Sequence, residues 1–506
     1  IAIKPDLAIA HQNLGIILSD IGKSQQAFDS YLTAIKHNPK YPNNYSLLTS
    51  FLKDSNPSLL NKSKLKNILN ILLERKDIPH KNLFTAFQIL YGDKILKYKN
   101  QFESDNIRDE LLLDDKLMIN ALKKILLKDP NIEKILTKIR RKICTQIADR
   151  IDPINQSELQ FIIALGEQCF LNEYVYSLTQ DENISIKKII NRCMNGEINE
   201  INISILSCYF PLYKLLDKIP YIKSFYSTNK SFIELITLQI SEPLKEIELS
   251  KRIRRIGKID DKISLKAKSQ YEENPYPRWR YGNQSEIYKT SFTKIINKEI
   301  KPNYINHNEG NKQLKVLIAG CGTGQHILNT QKYKNVQVTA IDLSLSSLSY
   351  AKRKINEIGI NNVELIQMDI LEASLLEEKF DIIECSGVLH HMDDPEKGLK
   401  SLLGILKING FIKLGLYSEL ARQDIIKARE YIASNNIKFN QDSIHNLRDS
   451  IISNQLKELY NLTLIPHFYS TSELRDCFFN VMENRFTISQ IDQIIKFNDL
   501  KFLGFI

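Results

Sequence analysis

The chain has 506 residues, 43% of them hydrophobic and 25% charged, with a formal net charge of +10. That length holds two or three domains, each able to bury its own core. No run of about 18 uncharged apolar residues occurs, which excludes a membrane-spanning helix, and the positive charge is spread over many lysines, which reads as a solvated surface.

Seven cysteines are scattered with no CxxC pair. That spacing argues against a zinc site or any other metal and against a disulfide framework, and suits a reducing cytosol, so a cytoplasmic protein is expected. Basic clusters stand at 138–142 ("KIRRK") and 251–258 ("KRIRRIGK"). Aromatics do not alternate with them, as a groove for single-stranded nucleic acid requires, so nucleic acid is not the favoured partner.

The first element has a period. In "KPDLAIAHQNLGIILSDIGKSQQAFDSYLTAIKHNPK", Pro5 and Pro39 lie 34 residues apart, with Ala8, Gly15, Leu18, Gly22, Ala27, Tyr31 and Ala34 between them. This resembles a tetratricopeptide repeat, whose period is that length. Small residues let two helices approach, Gly22 turns the chain and Pro39 stops the second helix. One repeat cannot bury its face alone, so further repeats are expected upstream. Residues 41–57 fit the spacing poorly and read as a degenerate or capping unit. From 58 to 250 apolar residues recur at three and four, the pattern of a helical scaffold, with no chemical motif.

Residues 251–311 read as a linker and an aromatic segment. "SQYEENPYPRWRYGN" (269–283) holds three tyrosines, two prolines and Trp279, the only tryptophan. From 312 onward short strands alternate with helices, which means a parallel sheet with crossover helices. "KVLIAGCGTGQH" (315–326) is a strand running into Gly320, Gly322 and Gly324. Position 325 is Gln, so the dinucleotide pattern GxGxxG is broken. "NVQVTAIDLS" ends a second strand in Asp342, 22 residues after Gly320. "NVELIQMDIL" ends a third in Asp369 and Ile370, "FDIIECSGVLHHMDDPEKGL" (380–399) gives a fourth with His390 and His391 after it, and "GFIKLGLYS" (410–418) gives a fifth.

This series, residues 314–418, resembles the class I S-adenosylmethionine-dependent methyltransferases. The resemblance implies an α + α/β chain: an N-terminal helical repeat and helical scaffold, then a Rossmann-like class I methyltransferase domain over 312–506. It implies S-adenosylmethionine as cofactor. Gly320, Cys321, Gly322 and Gly324 would pass under its methionine part, Asp342 and Leu343 would hold the ribose, and Asp369 and Ile370 the adenine. The family's usual acid two residues before the loop is replaced by Ile318. In such enzymes the segment before the first strand often closes over the cofactor. That would make 271–279 a lid, with Trp279 facing the sulfonium; the plainer reading is a set of rings capping the sheet.

His391, and after it His390, are the candidate bases for the acceptor. Cys385 lacks the preceding proline of a cytosine methyltransferase and reads as a structural thiol. Arg422 and Arg429, seven apart on one helical face, are expected to face water. Residues 486–506 read as a helix and then a strand joining the sheet, the chain stopping mid-strand. Like the start at Ile1, this suggests a fragment. The whole pattern resembles bacterial proteins that join such repeats to a methyltransferase domain. It implies methyl transfer to a protein, or to a small molecule, with the repeat recruiting a protein or peptide. An inactive methyltransferase-fold scaffold and an RNA methyltransferase are the alternatives.

Overall fold

A computed structural model describes residues 4–102, 110–283, 289–307 and 312–506. The chain divides into two compact units. The first comprises Ile1–Leu244, Arg280–Glu286 and Phe439–Thr471; the second comprises Lys245–Trp279, Ile287–Lys438 and Ser472–Ile506.

The first unit is helical. α1 (Ala8–Asp20) and α2 (Ser24–His37) form a hairpin joined at Gly22, whose φ of +76° is the left-handed turn that favours glycine. Gly15 faces the ring of Tyr31, and an added Cβ would meet that ring at 2.8 Å. This close approach is why a small residue stands there. α3 (Pro42–Asp54) opens on a proline, whose missing N–H costs nothing at a helix start. Its Asn44 amide donates to the carbonyls of Ala34 at 3.1 Å and Asn38 at 2.8 Å, satisfying acceptors at the end of α2.

Further along, capping boxes at Asn155/Glu158 and Thr179/Glu182 start two more helices. Two buried ion pairs lock the unit. Arg140 donates to Glu182 at 3.1 Å. Arg448 makes a fork on Glu133 at 2.8 and 2.7 Å, and also donates to the carbonyls of Phe468 and Val175. Arg448 belongs to the late segment Phe439–Thr471, which sequence reasoning placed with the sheet. Its helix Gln441–Ile452 buries Ile444, Leu447, Arg448 and Ile451.

The second unit carries a six-stranded parallel sheet in the order β1-β4-β3-β2-β5-β6. The strands are β1 (Arg254–Arg255), β2 (Leu314–Ala319), β3 (Val336–Asp342), β4 (Val363–Gln367), β5 (Phe380–Ser386) and β6 (Leu406–Gly415). β2, β3 and β5 are apolar and almost wholly buried, as strands covered on both faces must be. Helices from both sides cover them, with Val316, Ile318, Val338 and Ile327 in one core and Leu317, Ile341, Ile383 and Leu402 in the other.

Two expectations change here. β1 lies within the stretch read as a linker, where Arg254 pairs in register with Ile366, and the helix Lys262–Glu273 follows it. The expected C-terminal strand does not form. Residues after the helix Ile488–Phe497 carry no ladder, and the Leu503 carbonyl is taken by the Asn303 side chain at 2.7 Å.

Candidate functional site

Strand order reverses about β2, which lies between β3 and β5, so a crevice opens at the carboxyl ends of these strands. The glycine loop leaves β2 there. Gly320, Gly322 and Gly324 have φ of +76°, +51° and +83°. Cβ atoms at these positions would run into Val388, the Tyr276 carbonyl and Ala351 respectively. The loop turns back on β3: Gly320 N and Cys321 N both donate to the Ile341 carbonyl, at 2.9 and 3.0 Å.

Asp342 ends β3 and is half-buried. One carboxylate oxygen accepts from Gly322 N at 2.8 Å and the other from Ser344 N at 2.9 Å. Each oxygen keeps acceptor capacity for a further donor. Burial pushes its pKa up to about 6, and the charge of Glu272 adds to this, against the pull of the main-chain N–H groups. Glu272 itself caps the helix Leu345–Ile358, accepting from Leu345 N at 2.7 Å and Ser346 N at 3.0 Å.

Asp369 ends the turn after β4, is 3% exposed and accepts from Leu371 N at 3.0 Å. Ile370 packs into the core beside it. Leu343 is half-buried, its carbonyl bound by the Gln367 amide at 2.8 Å. Two carboxylates thus stand at the ends of adjacent strands beside a left-handed glycine loop. That arrangement offers acceptors for a ribose and an exocyclic amine.

The aromatic segment lies against the same loop. Thr323 N donates to the Tyr276 carbonyl at 3.3 Å and the Thr323 hydroxyl to the Pro277 carbonyl. The Trp279 indole donates to the Thr323 carbonyl at 3.1 Å. Its ring is 7% exposed, edge-on to Tyr350, with the Lys354 ammonium 5.5 Å from its centroid. Trp279 is therefore clamped to the loop by its indole N–H.

Residues 316–410 match the family described as Methyltransferase domain. The chain carries a methyltransferase domain. S-adenosylmethionine is the cofactor of such a domain, and the loop and the two carboxylates of this chain fit it. Over 124 residues the chain is 33% identical to an uncharacterized protein of Synechococcus, covering 24% of this chain and 29% of that one. It is 30% identical over 146 residues to an uncharacterized protein of Rickettsia prowazekii, covering 28% and 55% of the two. It is 26% identical over 118 residues to the malonyl-[acyl-carrier protein] O-methyltransferase of Acetivibrio thermocellus, covering 23% and 40%. The chain therefore spans between 29% and 55% of the length of these relatives. Among solved structures, PKMT2 from Rickettsia typhi in complex with AdoHcy aligns at 24% identity and a TM-score of 0.35, over 43% of this chain and 44% of that one.

The two histidines differ. His390 stacks on Tyr417 with centroids 3.6 Å apart, and burial, followed by the neighbouring His391 and Arg422, pushes its pKa down to about 2. It takes no proton near neutrality. His391 shares its Nδ1 with the Met482 carbonyl at 2.8 Å and turns Nε2 toward Asp476, 3.8 Å away. Cys321 and Cys385 are buried, and burial lifts both thiols, Cys385 to about 12. Ile318 lies in the core, 1% exposed, so it places no group toward the loop.

Arg422 and Arg429 do not face water. Arg422 is buried against Glu483 and over the ring of Tyr417, and Arg429 donates to the Asn480 carbonyl at 2.8 Å. The segment 480–483, far along the chain, folds back on that helix face. Sequence reasoning missed Glu272, Tyr417 and Asp476, because no local motif surrounds them. Among the described residues, no group of three or more His, Cys, Asp or Glu is placed to hold a metal, and no helix is long and apolar enough to cross a membrane.

Proposed function

We propose that this chain transfers a methyl group from S-adenosylmethionine to an acceptor that is a protein, or a small molecule presented by one. The observation carrying this reading is Asp342, fixed at the end of β3 by Gly322 N at 2.8 Å and Ser344 N at 2.9 Å beside the left-handed loop. When bound, the cofactor supplies an electrophilic methyl group on a sulfonium. In this reading Gly320, Cys321, Gly322 and Gly324 lie under the methionine part. Asp342 and Leu343 hold the ribose, Asp369 and Ile370 the adenine, and Trp279 holds the loop. His391 is the group beside the acceptor that can exchange a proton, while His390 supports it through Tyr417. Most of the rate would come from alignment of the acceptor.

The N-terminal hairpin is read as a tetratricopeptide repeat that recruits a protein or peptide. Its support is the 34-residue spacing of Pro5 and Pro39 and the packing of Gly15 on Tyr31. Residues 1–57 would be the repeat region and 58–250 the scaffold, to which Phe439–Thr471 belongs; the catalytic domain would be 312–438 and 472–506, with 251–311 joining it through β1.

The test is incubation of the full chain with radiolabelled methyl donor and cell lysate, followed by separation into protein, RNA and small molecules. Label in the protein or small-molecule fraction is expected. Label in RNA overturns the acceptor class. No label, with S-adenosylhomocysteine bound, points to an inactive scaffold.

A further inference from the structure

Beyond the histidines, the second unit holds a carboxylate that the cofactor residues do not use. Asp476 sits on the helix Thr471–Phe478 and is 3% exposed. Its Oδ1 accepts from the Tyr271 hydroxyl at 2.6 Å and from the Asn480 amide at 3.3 Å. His391 Nε2 lies 3.8 Å from the same oxygen. Among the described residues, Oδ2 accepts no hydrogen bond, and no lysine or arginine comes within 4.0 Å of the carboxylate. The arginine beside it in sequence, Arg475, pairs with Glu273, and Arg422 pairs with Glu483. A buried carboxylate with no lysine or arginine beside it and one oxygen without a donor is a place where a cationic N–H group is favoured.

The surroundings point to what joins it. Tyr271 bonds Asp476 directly, at 2.6 Å. Burial and, next, the charge of Asp476 hold the hydroxyls of Tyr271, Tyr276 and Tyr417 above the ordinary tyrosine range. Tyr271 is on the helix whose Glu272 caps the helix after Asp342, and its own carbonyl accepts from Ser344 at 3.0 Å. The Tyr276 carbonyl accepts from Thr323 N of the glycine loop at 3.3 Å. The same segment thus reaches Ser344 beside Asp342, the glycine loop and Asp476. His391 follows β5, the neighbour of β2. Aromatic faces attract cations, and a carboxylate anchors the N–H groups of one.

We propose that Asp476, with the Tyr271 hydroxyl bound to it and Tyr276 on the same segment, is the acceptor subsite and that it takes a protonated primary or secondary amine. The inference rests on the methyltransferase reading and specifies its acceptor. The ammonium donates to Asp476 Oδ2. For the nitrogen to act as a nucleophile, one N–H bond breaks. Its proton passes to Nε2 of His391 and its electron pair stays on nitrogen, so the positive charge moves to an imidazole 3.8 Å from the Asp476 carboxylate.

The experiment uses the full chain saturated with S-adenosylhomocysteine and measures binding of n-butylammonium, n-butanol and butyrate by calorimetry. n-Butylammonium is expected to bind, and the other two to bind at least tenfold more weakly. Asp476→Asn should loosen n-butylammonium tenfold or more, while S-adenosylhomocysteine affinity stays within twofold. Equal binding of n-butylammonium to both proteins, or a preference of the parent for butanol or butyrate, overturns the proposal. Should Asp476→Asn fail to fold, the preference of the unaltered chain among the three probes decides alone. A chain that binds no S-adenosylhomocysteine overturns the methyltransferase reading, and this inference with it. Replacing n-butylammonium by Nα-acetyl-lysine amide separates the sources: tighter binding assigns the amine to a polypeptide, weaker binding to a free small molecule.

Discussion

The indole nitrogen of Trp279 donates to the main-chain carbonyl of Thr323 at 3.1 Å, and the Tyr350 hydroxyl donates to the carbonyl of Trp279. The aromatic segment is thereby fastened to the glycine loop and to the helix Leu345–Ile358. The ring is 7% exposed, so its removal leaves a cavity.

Trp279→Ala is expected to destabilise the chain by about 3–5 kcal/mol, the range for large aromatic truncations. Trp279→Phe keeps a ring and loses the N–H donor, so about 1–2 kcal/mol is expected. Urea unfolding followed by circular dichroism measures both. Equal, small effects would mean that the clamp does not hold. As the only tryptophan, Trp279 should already emit at short wavelength in the folded chain and shift red on unfolding.

Two glycines separate close approach from backbone strain. Gly322 has φ +51° and an added Cβ would run into the Tyr276 carbonyl, whereas Gly359 has φ +80° with nothing within 4 Å. Gly359→Ala should cost about 1–2 kcal/mol of stability, the strain of a left-handed residue, with cofactor affinity unchanged. Gly322→Ala should cost more and weaken S-adenosylhomocysteine binding at least tenfold, because the loop and the segment over it must part. Melting curves and calorimetry on the two variants give the comparison. Matching losses would assign the whole effect to strain.

What was legible in the sequence is what is local. The strand–glycine–helix turn at 315–326 and the acids at 342 and 369 announce themselves because each stands at a strand end, and β2 to β6 follow from apolar runs. Asp476 was not legible. Its partner Tyr271 is 205 positions away, and nothing near it in sequence marks a site. Arg422 read as solvent-facing because a helical wheel cannot see Glu483 arriving from 61 residues downstream. The helix Gln441–Ile452 looked like part of the sheet domain because its amphipathic face carries no label for the surface it covers.

That helix contributes Arg448, which makes four hydrogen bonds to buried groups, two of them to Glu133. Removing one partner strands the other charge in the core. Arg448→Ala and Glu133→Ala should each destabilise the first unit by about 3–5 kcal/mol. The double replacement Arg448→Met with Glu133→Leu should lie closer to the parent than either single change, since no charge is then left unpaired. Denaturant unfolding of the three proteins tests this. A double variant that simply adds the two losses would show that the pair is worth more than an apolar contact of the same size.

The last prediction concerns pH. Burial, reinforced by Glu272, raises the Asp342 pKa to about 6, above the usual carboxylate range. The folded chain therefore holds a proton on Asp342 at pH values where the unfolded chain has released it. Its contribution to stability is present at low pH and lost as pH rises through about 6. Cofactor binding runs the other way. With Asp342 as the proposed ribose acceptor, the hydroxyls would donate to its ionised form, so affinity for S-adenosylhomocysteine should be flat above about pH 7 and fall by up to tenfold per unit below about pH 6. Asp342→Asn should lower affinity at pH 8 and flatten the profile, because an amide does not titrate. Calorimetry between pH 5 and 8 on both proteins reads it directly. A parent profile as flat as that of Asp342→Asn would place the ribose on another group.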